Sequence, residues 1–512
     1  MTNLVKSLGY NISGQFVARI VSFVINMYLL RVVDSAVIGL VNVRLMLLYD
    51  TTLFLTREPL RKSPILKQSI PKFVNIIWTS PLLCLALSSL TLPLWLAFSS
   101  SPVPLSILAA FSFSALLESL AEPFAVISLR FSLDAHFALS QALLVSLKRV
   151  IVLVFLFALP SMDHLTLFAI AQVAASLAYL LFHVAAFARY VSEGRAELAA
   201  AFPTMRDLFP RPQEGFDEGS VAAVRSLLCH SMLKQLLTDG SAFVMTFTRL
   251  LTLQEQAVYD AVERLGSLVA RMILAPLEDS AFAYFSNSLN KESAVFQKNT
   301  DSHDSLVKTF GALLHDLTLC GLIVCLFGIP YSRLAVSIYG GELLVNSGGA
   351  LLLAVYASYI VVTAVNGVTE AFAFASMNAK DVFAHGSFLF LAALVHLSLS
   401  VALCYYLGAV GFIIANMVNM AARIVYSWRH VSAYLGAKTP SIFSLLPRAQ
   451  TAVHMVFALF ACCVSLLLFG MTPGVSYTMT HLSIGAAFFF LIGWHVYHQE
   501  QLFQHFMHQK TH

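Results

Sequence analysis

Stretches of about twenty apolar residues alternate with short polar segments along this chain, and the alternation recurs fourteen times. A helix of that length crosses the roughly 30 Å hydrocarbon core of a bilayer. In lipid every backbone N–H and C=O must be satisfied within the element itself, which a helix achieves. The pattern therefore predicts an all-α polytopic membrane protein with about fourteen transmembrane helices. They are expected at 13–33, 36–56, 74–97, 104–127, 137–159, 164–188, 223–248, 256–277, 307–329, 346–373, 384–407, 409–427, 450–470 and 478–497. The first run is too long for a removable signal and has no small-residue cleavage site, so it is read as a retained span.

Polar positions interrupt these runs in register. VNVRLMLLYDTTLFLTREPLR, residues 41–61, places Arg44, Asp50, Arg57 and Glu58 among leucines. A charge at the bilayer centre costs roughly 2.5–3.5 kcal/mol on insertion scales, so such residues face protein or water. Positions seven apart share a helix face, and Arg44, Thr51 and Glu58 form one such stripe. Arg264, Arg271 and Glu278 form another, displaced by 220 residues. The same offset pairs Gln15 with Gln235, Phe23 with Phe243 and Leu45 with Leu265. Spans one to six and seven to twelve are thus expected to be two pseudo-symmetric six-helix lobes, a plan common among transporters, with two C-terminal helices appended. The expected organisation is an N-lobe over 1–190, a cytoplasmic linker over 191–222 and a C-lobe over 223–430. A loop over 431–449, two spans within 450–497 and a tail over 498–512 follow. Further stripes are Tyr356, Thr363 and Glu370 beside Tyr359 and Asn366, Asn416 with Arg423, Gln141 above Lys148, and Glu118 and Glu122 beside Pro123. Each stripe either binds a substrate or glues neighbouring helices by hydrogen bonds of about 0.6 kcal/mol.

Composition strengthens the membrane reading: 58% of residues are hydrophobic and 11% charged, against about 25% charged in soluble domains. Charge also orients the chain, because cytoplasmic loops collect Lys and Arg. With a cytoplasmic N-terminus, twenty-one Lys and Arg fall on inner segments and three (Arg31, Arg249 and Arg333) on outer ones. Both termini and all the long loops are then cytoplasmic, and the sequon at Asn11 is unused. Arg19, Arg44, Lys148, Arg149, Lys234, Arg264 and Arg271 remain inside spans. The seven cysteines lie in spans without a C-x-x-C pair and read as packing residues. The histidines of the C-terminal tail read as part of a cytosolic amphipathic segment. No Walker P-loop, H-E-x-x-H or G-x-S-x-G motif is present, so neither an ATP-driven pump nor a hydrolase is supported, and no cofactor or nucleic-acid partner is expected.

VNVRLMLLYDTTLFLTREPLRK, QAVYDAVERLGSLVARMILAPLEDSAFAYFS, TAVNGVTEAFAFA and GFIIANMVNMAARIVYS closely resemble landmarks of the eukaryotic Rft family, from the first span to about residue 430. That family belongs to the multidrug/oligosaccharidyl-lipid/polysaccharide exporter superfamily, alongside bacterial peptidoglycan-precursor flippases. The resemblance implies an endoplasmic reticulum membrane protein. It also implies movement of dolichyl-diphosphate-linked mannose-rich oligosaccharide from the cytosolic to the luminal leaflet for N-glycosylation. Family positions carry over to Arg31, Arg44, Arg57 and Glu58, to Arg264, Arg271 and Glu278, to Asn366 and Glu370, and to Arg423. Pro59, Ala275 and Asp279 depart from the family pattern.

Guanidinium forks suit the oxygens of a diphosphate, and Asn366, Tyr356 and Tyr359 offer a surface for the glycan. Arg19, Lys148 and Lys234 complete the candidate substrate-binding set. The expected assembly is a V-shaped bundle with a central cavity lined by spans one, two, seven and eight, in which Arg44, Arg264 and Arg271 share the diphosphate. Arg57 and Arg423 are expected nearer its cytosolic mouth. Asp50, Asp239, Glu263 and Asp316 either couple protons or cations or neutralise nearby arginines. Two alternatives stay open. One is a non-transporting protein that binds lipid-linked oligosaccharide or organises the enzymes of its assembly. The other is a cation/drug antiporter of the same superfamily.

Overall fold

The computed structural model describes residues 23–62, 68–99, 103–194, 196–294, 300–441 and 445–500, and among them all regular structure is helical. Eleven helices are long and apolar enough to cross a membrane. They coincide with expected spans two to six and nine to fourteen. The other three expected spans also fall on helices, but none meets that standard. The first is described only over Phe23–Val32 (α1). The seventh is split at Asp239 into Glu218–Thr238 (α7) and Gly240–Phe247 (α8). The eighth, Leu253–Val269 (α9) continuing into Ala275–Ala294 (α10), carries too many charges.

The chain packs into two units, Met1–Ala257 and Val258–His512. In the first, Ser35–Arg57 (α2), Ile70–Phe98 (α3), Leu105–Arg130 (α4), Asp134–Ala158 (α5) and His164–Ser192 (α6) form the bundle. α4 lies along α6, α5 covers α6, and α2 packs on both α3 and α4, while α7 joins α2. Small side chains allow these approaches. Ser80 donates to the Ser119 carbonyl at 2.6 Å, fastening α3 to α4. A Cβ at Gly39 would collide with the Leu253 carbonyl.

The segment expected as a linker is folded onto this unit. Leu198, Phe202 and Leu208 are buried against Phe73, Ile77 and Phe187. Asn75 donates to the carbonyls of Arg211 and Gly215, both at 2.8 Å, and accepts from Arg211 N–H at 2.7 Å. Trp78 Nε1 donates to the Leu208 carbonyl at 2.7 Å. Thr204 and Asp207 form a capping box, and the Thr204 hydroxyl leads the interactions that hold the Asp207 carboxyl below its ordinary range against the opposing effect of burial. Asn75 is 4% exposed, and its three bonds to the part-buried backbone of Arg211 and Gly215 contribute about 0.5–1.5 kcal/mol each. Asn75→Ala is therefore expected to speed proteolytic cleavage within 200–217 while the helices stay intact. Unchanged cleavage would show that apolar contacts alone hold the segment.

In the second unit Thr300–Gly340 (α11) packs along Gly349–Ser376 (α12), which also contacts α10 and Val410–Leu435 (α14). Ala379–Leu407 (α13) covers α14. The appended pair, Ala449–Ser465 (α15) and Val475–Gln499 (α16), packs mutually and, through α15, on α11. Its anchor is Glu500, which accepts from Arg448 N–H at 3.0 Å, from the Thr451 hydroxyl at 2.5 Å, and lies 3.2 Å from His315 Nε2. Burial raises the Glu500 carboxyl, but these partners together carry it below its ordinary range.

Candidate functional site

In the first unit Arg44 stands apart from the other cations. It lies in a π-helical turn, Leu40–Leu45, within α2; such bulges recur at functional sites. The residue is 2% exposed, yet among the described residues no carboxylate pairs with it. Its Nε donates to the neutral amide oxygen of Gln256 at 3.1 Å, and its Nη1 is buried with no hydrogen-bond partner among the described residues. Gln256 is itself held, its Nε2 donating to the carbonyls of Leu251 and Met245 at 3.0 and 3.2 Å. The Arg44 backbone carbonyl accepts from Trp95 Nε1 at 3.2 Å. This frame presents a desolvated guanidinium whose charge no carboxylate among the described residues compensates. An anion is what would complete it.

Arg57, at the far end of α2, is differently placed. Its Nη2 donates to Glu118 at 2.7 Å, and its Nε lies 3.0 Å from Glu122 without hydrogen-bond alignment. Arg61 meets Glu122 through two nitrogens, at 2.5 and 2.8 Å. Glu118 also accepts from Ser176 at 2.8 Å and from the Tyr49 hydroxyl. Both glutamates are fully buried, and the two cations and two anions balance. The i,i+4 spacing of Arg57 with Arg61 and of Glu118 with Glu122 is the signal from which this match is readable. Glu58 faces away, pairing with Lys62 at 2.9 Å and Lys234 at 3.1 Å. Lys148 donates to Met46 Sδ at 2.9 Å and lies over the Tyr49 ring. Arg31 is exposed in the last turn of α1, and Arg19 lies outside the described residues.

The second unit gathers a different set. Arg423 donates to Glu370 at 2.5 and 2.7 Å, and Asn366 donates to the same carboxylate at 2.9 Å. His385, 1% exposed and 3.7 Å from Glu370, has neither ring nitrogen hydrogen-bonded among the described residues. No periodicity in the sequence marked this histidine. Glu278 leans on Gly367, where a Cβ would overlap its carboxylate. Gly367→Ala is expected to cost about 1–3 kcal/mol of stability by overpacking, with most of it recovered in a Gly367→Ala, Glu278→Ser double variant; no recovery would place the strain elsewhere. Tyr356 is buried, packs edge-on to Tyr359 with ring centroids 5.3 Å apart, and closes on Gly266. Arg264 chelates Asp260 with both contacts at 2.8 Å. Arg271, in a second π-helical turn, Ala270–Leu274, reaches Ser267 and the Arg264 carbonyl.

A family model described as "Rft protein" matches residues 3–510. A Caenorhabditis elegans protein named Man(5)GlcNAc(2)-PP-dolichol translocation protein RFT1 is 52% identical over 491 residues, covering 94% of this chain and 94% of that protein. The Xenopus tropicalis protein of the same name is 35% identical over 457 residues, covering 86% and 84%. Among solved structures, the lipid II flippase MurJ in an inward closed conformation aligns with a TM-score of 0.60 at 12% identity, covering 94% of this chain and 98% of that one. An inward-facing MATE family transporter of the MOP superfamily aligns with a TM-score of 0.60 at 13% identity, covering 81% and 94%. These two likenesses show that the chain shares the fold of these two transporters.

Proposed function

The chain belongs to the Rft protein family, and on that premise we propose that it moves dolichyl-diphosphate-linked mannose-rich oligosaccharide from the cytosolic to the luminal leaflet of the endoplasmic reticulum membrane. The names of its relatives support the substrate, and the observation that carries the chemistry is Arg44. A buried guanidinium with an unsatisfied Nη1 and no paired carboxylate among the described residues suits a ligand that brings its own negative charge. Diphosphate oxygens accept such a fork while the polyprenyl chain stays in lipid. Arg264 and Arg271 of the second unit, which carry their own intrahelical partners, are further candidates for the same ligand. Asn366 and Tyr356 remain candidates for the glycan.

The direct test is purified protein in liposomes with a labelled dolichyl-diphosphate oligosaccharide, scored for transfer between leaflets. Transfer above that of protein-free liposomes, lost in Arg44→Gln, is expected. Binding without transfer would instead favour an accessory role in lipid-linked oligosaccharide assembly.

The charge bias supports cytosolic placement of both termini and of the 189–222 segment. Gly194 has φ +60° and open space around it, so an inserted glycosylation tag there is tolerated. It is expected to stay unmodified in microsomes, and its modification would reverse the orientation.

A further inference from the structure

Where α11, α15 and α16 end, a cavity of about 480 Å³ opens between their connecting segments, within the range of about 300–1,000 Å³ found for ligand sites. Arg333, Glu342, Asn346, Thr472, Thr478 and His481 line it. It lies within the second unit and takes no part in the transport reading above.

Two features set its ligand. Arg333 and Glu342 are both exposed into this space, yet among the described residues they form no ion pair with each other or with any other side chain. His481 is 1% exposed, fixed by Ser465 at 2.8 Å and by the Tyr331 ring, with centroids 4.2 Å apart. Its Nε2 is buried and makes no aligned hydrogen bond, although the Pro330 carbonyl acts on the ring. The wall therefore offers one cation, one anion and several neutral polar groups.

A neutral sugar would leave both charges without a counter-charge, and among the described residues no Phe, Tyr or Trp lines the cavity to stack on it. A simple anion would satisfy Arg333 and leave Glu342 unmatched. A zwitterion satisfies both. The flanks are greasy: Ile338, Leu467, Leu468 and Met471 are 53–65% exposed apolar side chains, placed at the ends of membrane helices, where acyl chains begin. Apolar surface beside a mixed-charge cavity fits a headgroup with its tails attached.

We propose that this cavity binds the headgroup of a membrane phospholipid that carries both a phosphate and a primary ammonium, as phosphoethanolamine does. Arg333, Thr472 and Thr478 hold the phosphate, and Glu342 with Asn346 holds the ammonium. A primary ammonium donates three hydrogen bonds to these oxygens, whereas a trimethylated one donates none.

The test is native mass spectrometry of the purified full-length chain in micelles doped with equal amounts of phosphatidylethanolamine, phosphatidylcholine and phosphatidylglycerol. Phosphatidylethanolamine should be retained preferentially, and soluble glycerophosphoethanolamine should displace it. Arg333→Gln and Glu342→Gln, both at exposed positions that leave the fold intact, should each weaken retention roughly three- to tenfold, as expected for loss of one ordinary hydrogen bond in an open, solvated cavity. Equal retention of phosphatidylcholine would overturn the ammonium assignment to Glu342. Preferential retention of phosphatidylglycerol, displacement by a free mannose-rich glycan, or indifference to both substitutions would overturn the site as proposed.

Discussion

Arg44→Gln is expected to weaken binding of a dolichyl-diphosphate oligosaccharide by about 30-fold to about 5,000-fold, the equivalent of the roughly 2–5 kcal/mol lost when one member of a desolvated charge pair is removed. Stability is expected to move the other way. Among the described residues the buried guanidinium has a neutral amide as its side-chain partner, and a buried charge without a counter-charge destabilises the fold that holds it. The thermal midpoint of Arg44→Gln should therefore stay level or rise while affinity falls. Arg44→Lys should lose affinity too, because an ammonium cannot make the bidentate contact. The measurements are ligand binding and thermal unfolding at matched purity, with rescue of a glycosylation-deficient cell as the cellular readout. Full binding and rescue by Arg44→Gln would return Arg44 to a structural role, and so would a fall in binding that only tracks unfolding. Arg264→Gln and Arg271→Gln belong in the same series.

Glu118→Gln is expected to be among the most destabilising single substitutions in the first unit, at about 3–5 kcal/mol. That is the usual cost of leaving one charge of a buried network unpaired. Glu118 receives Arg57, Ser176 and Tyr49 at once, and Glu122 is already engaged by Arg61. Replacing Arg57 with Met in the Glu118→Gln background should recover part of the loss, since two neutral groups no longer oppose a low dielectric. Thermal unfolding in micelles measures both. A stable Glu118→Gln protein would mean that water reaches the cluster, and Arg57 would then be free to contact substrate. On the packed geometry, Arg57→Gln lowers the thermal midpoint. A direct substrate contact would instead lower affinity at an unchanged midpoint.

The class of the molecule and the places where charge enters it are legible along the chain. Span length is dictated by bilayer thickness and apolarity by the solvent, so each apolar run from 36–56 to 164–188 and from 307–329 to 478–497 emerged as a membrane-length helix. Both rules are local, and local rules survive without a partner. The long motifs sufficed for the family as well. Which charges are matched depends on packing between helices. Arg44 and Arg57 sit on one helix at similar prominence, yet one faces an amide and the other two carboxylates from α4. Sequence spacing fixes the face of a helix but not which neighbour that face meets. The π-helical turn at Leu40–Leu45 resets even that face by inserting one residue into the ladder. Gln256, His385 and the docking of 196–215 were hidden for the same reason: their roles rest on residues 136 to 212 positions away in two cases, and on the rings of Phe374 and Tyr426 around an imidazole in the third. Non-local contacts of this kind are set by packing, which no periodicity along the chain encodes.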